Sequence, residues 1–203
     1  MAAETAAVAR RCEAFREAVE AAAGDDSTPP PLLDLSGCGL TSVPAALFML
    51  MRSTPVARLS LAHNQLRAVP PRLQEWSNTL QCTPRRCRQS PGAHRGSGTY
   101  GPPLLALPPA LPFRADLDLS DNQLTSLPEV LCLPVLTTLN LADNRLAAVP
   151  SAVFQCERLA QLDLSRNQIA ARPDPADLAR LPHLADLRLD GNPVAAELAG
   201  PGR

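Results

Sequence analysis

The sequence predicts an α/β solenoid: short parallel strands on a concave face, an irregular or helical convex side, and an N-terminal capping helix. Three observations predict this fold. One apolar pattern recurs at a nearly constant interval, alternating leucines lie inside the copies, and a helical apolar stripe precedes the first copy. An interval of about 20 to 50 residues is the signature of stacked structural units.

The first predicted element is a capping helix over residues 3–23. Val8, Cys12, Phe15 and Val19 are spaced as successive positions on one face of a helix. A glycine, two aspartates and three prolines follow within the next eight residues and end the helix. Because the first coil of a solenoid has an apolar edge that needs a cover, we expect this helix to lie on the first repeat. A docking helix for a partner is the alternative.

Six segments then follow one template and predict six coils. The template is an apolar residue, two free positions, leucine, one free position, leucine, two free positions, asparagine, one free position and leucine. The alternation predicts a short strand that points its leucines inward, with successive strands stacked in parallel. The leucines at the fourth template position are Leu33, Leu59, Leu117, Leu139, Leu162 and Leu187, and the last four are 22, 23 and 25 residues apart.

The copies divide the chain into two blocks. Residues 31–74 are predicted to hold the first two repeats, and residues 114–199 the remaining repeats with a C-terminal cap. Proline has a fixed φ and no N–H, so it suits the turn from a strand into the convex side. This proline follows an apolar residue at Pro44, Pro70, Pro128 and Pro150.

The ninth template position predicts a ladder of buried side-chain amides. An asparagine amide both donates and accepts, so it can satisfy backbone groups of the turn in neighbouring coils. Cys38 replaces asparagine in the first repeat. The predicted structural ladder is Asn64, Asn122, Asn144, Asn167 and Asn192.

Taken together, these motifs resemble the leucine-rich-repeat family. The proline-bearing copies of about 23 residues are similar to its intracellular Ras-suppressor-like class. The resemblance implies a protein that binds other proteins along a rigid face of parallel strands.

The repeat pattern is interrupted between Leu59 and Leu117, which are 58 residues apart. This distance leaves room for one further coil and spare residues. Residues 75–113 are instead predicted to be an irregular Pro/Gly/Arg-rich insertion that replaces part of a repeat, because such a composition does not form a packed core. A missing strand would weaken the coupling between neighbours, so the first two repeats are expected to unfold more readily.

Three interpretations of the insertion stay open. Residues 76–113 hold four arginines and no acidic residue, so they are an alternative site for nucleic acid or another anionic partner. They could equally be an inert disordered insertion. The third interpretation, which the loss of register in mid-coil favours, is a splice-variant or gene-model product with impaired binding. The arginines are Arg85, Arg86, Arg88 and Arg95.

The bulk properties predict a cytoplasmic protein. The formal net charge is −1, which argues against a general attraction to nucleic acid or anionic membrane. No apolar run approaches the roughly 18 residues of a membrane span. The acidic N-terminal segment does not read as a secretory signal. The six cysteines form no paired framework, so free thiols in a reducing compartment are expected.

No motif predicts an enzyme, a metal site or a cofactor. The glycine motif at 96–101 lacks the strand before it and the helix after it that dinucleotide binding requires. Cys82, Cys87 and His94 are too few and too widely spaced for structural zinc. Ser60 and His63 would share the concave face, but no acid is placed beside them by sequence. We therefore expect no catalytic residues and no small-molecule substrate.

The concave face is the predicted partner-binding site. Template positions three, five and eight point there and form an acidic centre with a mixed C-terminal edge, which predicts a partner with a basic surface. The alternative is that aspartate after the first strand leucine is ordinary repeat consensus. The predicted site residues are Asp116, Asp118, Asp121, Thr138, Asn140, Asp143, Gln161, Asp163, Arg166, Asp186 and Arg188.

Overall fold

The computed structural model describes residues 2–22, 31–50, 54, 56–70, 115–128, 133 and 135–195. The predicted insertion at 75–113, with its arginines and its glycine, cysteine and histidine motifs, lies outside these residues. The helices are α1 at Ala2–Ala22, α2 at Ala45–Leu50, a 3-10 helix at Ser151–Gln155, and α3 at Pro175–Leu178. The strands are β1 at Leu32–Asp34, β2 at Arg58–Ser60, β3 at Ala115–Asp118, β4 at Leu136–Asn140, β5 at Gln161–Asp163 and β6 at Asp186–Arg188.

The strands form one parallel sheet in chain order, β1-β2-β3-β4-β5-β6, which confirms the predicted solenoid. The fourth-position leucines are direct partners from strand to strand, so template and register agree at every coil. Leu33, Leu59, Leu117, Leu139 and Leu162 are buried, while Leu187 at the last strand is only partly buried. The core is therefore one aliphatic column that runs through the coils.

The sheet is continuous across the junction between the two blocks. β3 pairs directly with β2, with Arg58 opposite Asp116 and Leu59 opposite Leu117. The ladder also continues across the junction, because the Leu66 N–H donates to Asn122 Oδ1 at 3.0 Å. The number of residues between two strands does not decide whether those strands pair. This direct pairing argues against the weak coupling expected for the first two repeats.

Helix α1 covers the first coil. Val8, Cys12 and Phe15 are buried in the common core, and α1 contacts β1 and α2. The Arg11 guanidinium donates to the carbonyls of Asp34 at 3.0 Å and Ser36 at 2.8 Å. Apolar packing and these two hydrogen bonds together hold the helix on the first strand. No helix in the described ranges has both the length and the apolarity that crossing a membrane requires.

Candidate functional site

The asparagines of the ninth position join adjacent coils behind the strands. In the fourth coil, Asn144 Nδ2 donates to Leu141 O and Ala142 O, both at 3.1 Å, within its own coil. The same nitrogen lies 2.9 Å from Leu119 O of the preceding coil, and Oδ1 accepts from the Leu124 N–H of that coil at 3.0 Å. One buried amide thus satisfies backbone groups of two coils.

The same arrangement recurs at the other ladder positions. Each of the five asparagines is between 5% and 7% exposed, and each accepts one N–H from the preceding coil. Each also donates to a carbonyl of that coil. Because buried polar groups left unpaired are costly, this network fixes the spacing of the strands. It gives the polar side of the sheet a rigid support.

We use "concave face" for the side chains at template positions three, five and eight of the six coils. These positions lie side by side from strand to strand, because the register has no offset between coils at positions four and five. The predicted site residues are therefore neighbours on one surface across β3 to β6. Position eight lies just beyond each strand, where the chain turns.

The aspartates at position five also stabilise the turn that follows the strand. Asp118 Oδ1 accepts from the Ser120 N–H at 3.1 Å and from its hydroxyl at 2.8 Å. Asp163 does the same with Ser165, at 2.9 and 2.6 Å. An acceptor here caps the turn that ends the strand, which explains the recurrent Asp-x-Ser. One carboxylate oxygen of each is engaged in the turn.

Position eight has a backbone feature that the sequence analysis missed. His63, Asp121, Asp143 and Arg166 all have φ between 50° and 54°, in the left-handed region. Gly37 and Gly191 occupy the same position in the first and last coils, with φ of 61° and 71°. The two glycines are the feature of the sequence that could have predicted a positive φ at position eight, because glycine adopts this conformation without strain. Elsewhere the strain is on the order of 1 kcal/mol per residue.

His63 acquires an acidic partner from the next coil. Its Nδ1 lies 2.6 Å from Asp121 Oδ2, and both side chains are exposed. This hydrogen bond, with the nearby Asp118 and Asp143 carboxylates, raises the pKa of His63 above its ordinary value. The sequence placed no acid beside His63, because Asp121 is 58 residues away in the chain. Ser60 is buried, and its Oγ lies 3.5 Å from the Ala62 nitrogen.

Asp143 and Arg166 form a two-point ion pair between the fourth and fifth coils. Arg166 Nε donates to Asp143 Oδ1 at 2.6 Å, and Nη2 to Oδ2 at 2.5 Å. The hydrogen bond from Arg166 holds the pKa of Asp143 below its ordinary value. A Cβ at Gly191 would lie 3.0 Å from Arg166 Cγ, so the glycine leaves room for this side chain.

Arginines also pair with carboxylates between the second and third coils and at the last coil. Arg58 Nε donates to Asp116 Oδ2 at 3.1 Å, while the buried Asp116 Oδ1 has no hydrogen-bond partner among the described residues. Arg188 Nε donates to Asp186 Oδ2 at 3.1 Å, and its Nη1 lies 3.8 Å from Asp163 Oδ2. The predicted acidic centre is thus partly neutralised from within.

Asp118 is the exception at the middle of the sheet. No basic side chain of the described residues forms an ion pair with it. Its Oδ2 is not used in the turn. The residual negative charge of the concave face therefore centres on β3. No group of three or more potential metal-ligating side chains occurs in the ranges that the structure covers.

Comparison with known proteins supports the fold. Residues 134–194 match the family described as leucine rich repeat. A leucine-rich repeat protein from Bacteroides eggerthii aligns with a TM-score of 0.51 at 18% identity, over 83% of this chain and 25% of that one.

Two further solved structures are similar at lower scores. An internalin from Listeria monocytogenes aligns with a TM-score of 0.44 at 18% identity, over 73% of this chain and 32% of its own. A chain of the Toll–Spatzle complex of Drosophila aligns with a TM-score of 0.47 at 26% identity, over 78% of this chain and 20% of its own. The chain thus spans a third or less of the length of the three solved structures it matches.

Proposed function

We propose that this protein is a non-enzymatic interaction module, a scaffold or adaptor, that binds a protein partner through its concave face. The supporting observation is the in-register stack of six parallel strands, which presents positions three, five and eight as one surface. Leucine-rich-repeat folds generally mediate protein–protein interaction, and solenoids use extended surfaces of this kind. The buried amide ladder supports rigid presentation, which lowers the entropic cost of binding.

The proposed partner has a basic surface that meets β3 and β4. Asp118 forms no ion pair among the described residues, whereas Arg58, Arg166 and Arg188 are each already paired with a carboxylate. A basic patch would therefore find an acceptor at Asp118 without breaking an existing pair. Charge complementarity of this kind acts mainly on association rate and specificity. Its effect weakens as salt shortens the Debye length to about 8 Å.

We place the protein in the cytoplasm as part of this proposal. We also assign its repeats to the Ras-suppressor-like class. The proline-bearing repeats support the class. Cys12 and Cys38 are free thiols, which suits a reducing compartment. Burial raises the pKa of the Cys12 thiol, so that thiol stays protonated and unreactive.

The test is affinity capture from cells with the full chain, followed by binding measurements with the purified partner. Asp118→Arg should slow association at low salt. Glu157→Arg is the matched control, because it reverses one charge at an exposed residue of the convex side, two residues after the end of the 3-10 helix. Equal binding by wild type and Asp118→Arg, with equal thermal stability, would remove the concave face as the site. Loss of binding on changing Arg85, Arg86 and Arg88 to alanine would instead support the alternative site at 76–113.

A further inference from the structure

A polar slot opens on the concave face over the last three strands. Its volume is about 160 Å³, close to that of engineered cavities of about 150 Å³ that hold one benzene. The slot therefore has room for one side chain of a partner. Leu139 and Leu162 contribute to its lining. Its polar lining consists of Thr138, Asn140, Gln161, Asp163, Asp186 and Arg188.

The charged groups of the slot are already engaged with one another. The Arg188 guanidinium donates to Asp186 and lies near Asp163. Asp163 also accepts two hydrogen bonds from Ser165. A charged side chain entering the slot would compete with these contacts and would be partly desolvated, which costs free energy.

The neutral groups of the slot are free to bind. Among the described residues, no hydrogen bond involves the Thr138 hydroxyl or the Gln161 side-chain amide. Asn140 uses only Oδ1, which accepts from the Ala142 N–H at 3.1 Å, so its Nδ2 is unused. The slot thus offers two groups that both donate and accept, and one further donor.

We propose that the polar slot receives the carboxamide of an asparagine or glutamine from an extended segment of the partner. This rests on the proposed function and adds a residue-specific selectivity to the charge preference at β3. A carboxamide both donates and accepts, so it matches the free groups at 138, 140 and 161 and leaves the ion pairs of Arg188 intact. Alanine at the same point could not form these hydrogen bonds, so a segment with alanine there should bind less tightly.

The probe is a peptide of about twelve residues, selected from a random phage-displayed library on the immobilised full chain. We expect the selected peptides to share an aligned asparagine or glutamine. Replacing that residue by alanine in a synthetic peptide should weaken binding about 10-fold, the effect of one or two hydrogen bonds. A double variant with Thr138→Ala and Gln161→Ala should bind the selected peptide and its alanine-substituted form with equal affinity. Gln168→Ala, a change of the same residue type on the same coil outside the slot, should retain the 10-fold difference.

Three outcomes would overturn the inference. Selection of lysine or arginine at the aligned position is one, and a 10-fold difference that persists in the double variant is another. Failure to select any peptide is the third. If the peptides lose binding on Asp118→Arg but not in the double variant, the slot is excluded while the proposed function stands. If binding is indifferent to both changes, the concave face itself is excluded.

Discussion

Asn144 shows what one residue contributes to the solenoid. Its amide satisfies three carbonyls and one N–H across two coils. Asn144→Ala leaves these buried groups unpaired, so we expect the free energy of unfolding to fall by about 1–3 kcal/mol. Urea denaturation measures this, with the exposed Gln168→Ala as control. An unchanged midpoint would contradict the structural role of the ladder.

The two glycines at position eight distinguish the cost of backbone strain from the cost of a steric clash. A Cβ at Gly37 meets nothing within 4 Å, so Gly37→Ala adds only the strain of a positive φ, about 1 kcal/mol. Gly191→Ala adds the same strain and also forces the Cβ against Arg166 Cγ at 3.0 Å. We expect the larger loss of unfolding free energy at Gly191, together with a weakened Arg166–Asp143 pair. Equal losses of unfolding free energy in urea denaturation would show that the Arg166 side chain can move away from the added methyl group at no cost.

His63 makes a pH-dependent contact on the concave face. The hydrogen bond to Asp121 raises the pKa of His63 above 6.5, so the folded state binds the proton more tightly than the unfolded state. The stabilisation is therefore fully present below the unfolded pKa of about 6.5 and is lost as pH rises through the folded value. An NMR titration should show the raised pKa of His63 in the wild type and a lower value in Asp121→Asn. Asp190→Asn, an exposed aspartate of the last coil, is the control; an equal pKa in wild type and Asp121→Asn would refute the contact.

At the scale of elements, the β2–β3 junction is the informative feature. Val69-Pro70 and Val149-Pro150 are equivalent ends of the template, and Ala115 is equivalent to Ala160. Residues 151–159 can therefore be grafted in place of residues 71–114. We expect the graft to fold, because the register and the Leu66–Asn122 hydrogen bond join described residues only. The shorter connection should also add about 1 kcal/mol through reduced loop-closure entropy.

Circular dichroism and a thermal melt of the graft test this expectation. A Gly/Ser linker of the same length is the control. It lacks the equivalents of Ala152, Val153 and Phe154, which are buried in the core, so it should melt at a lower temperature. An unfolded graft would show that the solenoid needs contacts from the replaced residues.

At the scale of the whole molecule, the continuous sheet predicts that the coils are protected to a similar degree from amide hydrogen exchange. Leu61 N–H donates to Asp118 O at 2.8 Å, and Leu141 N–H to Asp163 O at the same distance. We expect these two amides to exchange with solvent hydrogen at similar rates, although they belong to different blocks. Amides paired with β6 should exchange faster, because Leu187 and Leu189 are only partly buried. Much faster exchange at Leu61 would restore the idea of a weak junction.

The sequence by itself determined the repeating architecture. Leucine spacing placed the fourth-position residues in register from Leu33 to Leu187, because each coil buries its own leucines and must stack to cover its edges. The asparagine at position nine was readable for the same reason, since one amide with donor and acceptor suits a repeated turn. These are local requirements, met again in every copy.

Only the tertiary structure decided which side chains meet. His63 with Asp121, Arg58 with Asp116 and Arg166 with Asp143 are contacts between coils, and the template leaves those positions free. The direct stacking of β3 on β2 was hidden in the same way, because the number of intervening residues does not constrain the distance between strand ends. Local pattern sets what each coil must bury, whereas the charge pairs, the residual acid at Asp118 and the polar slot arise only when neighbouring coils are brought together.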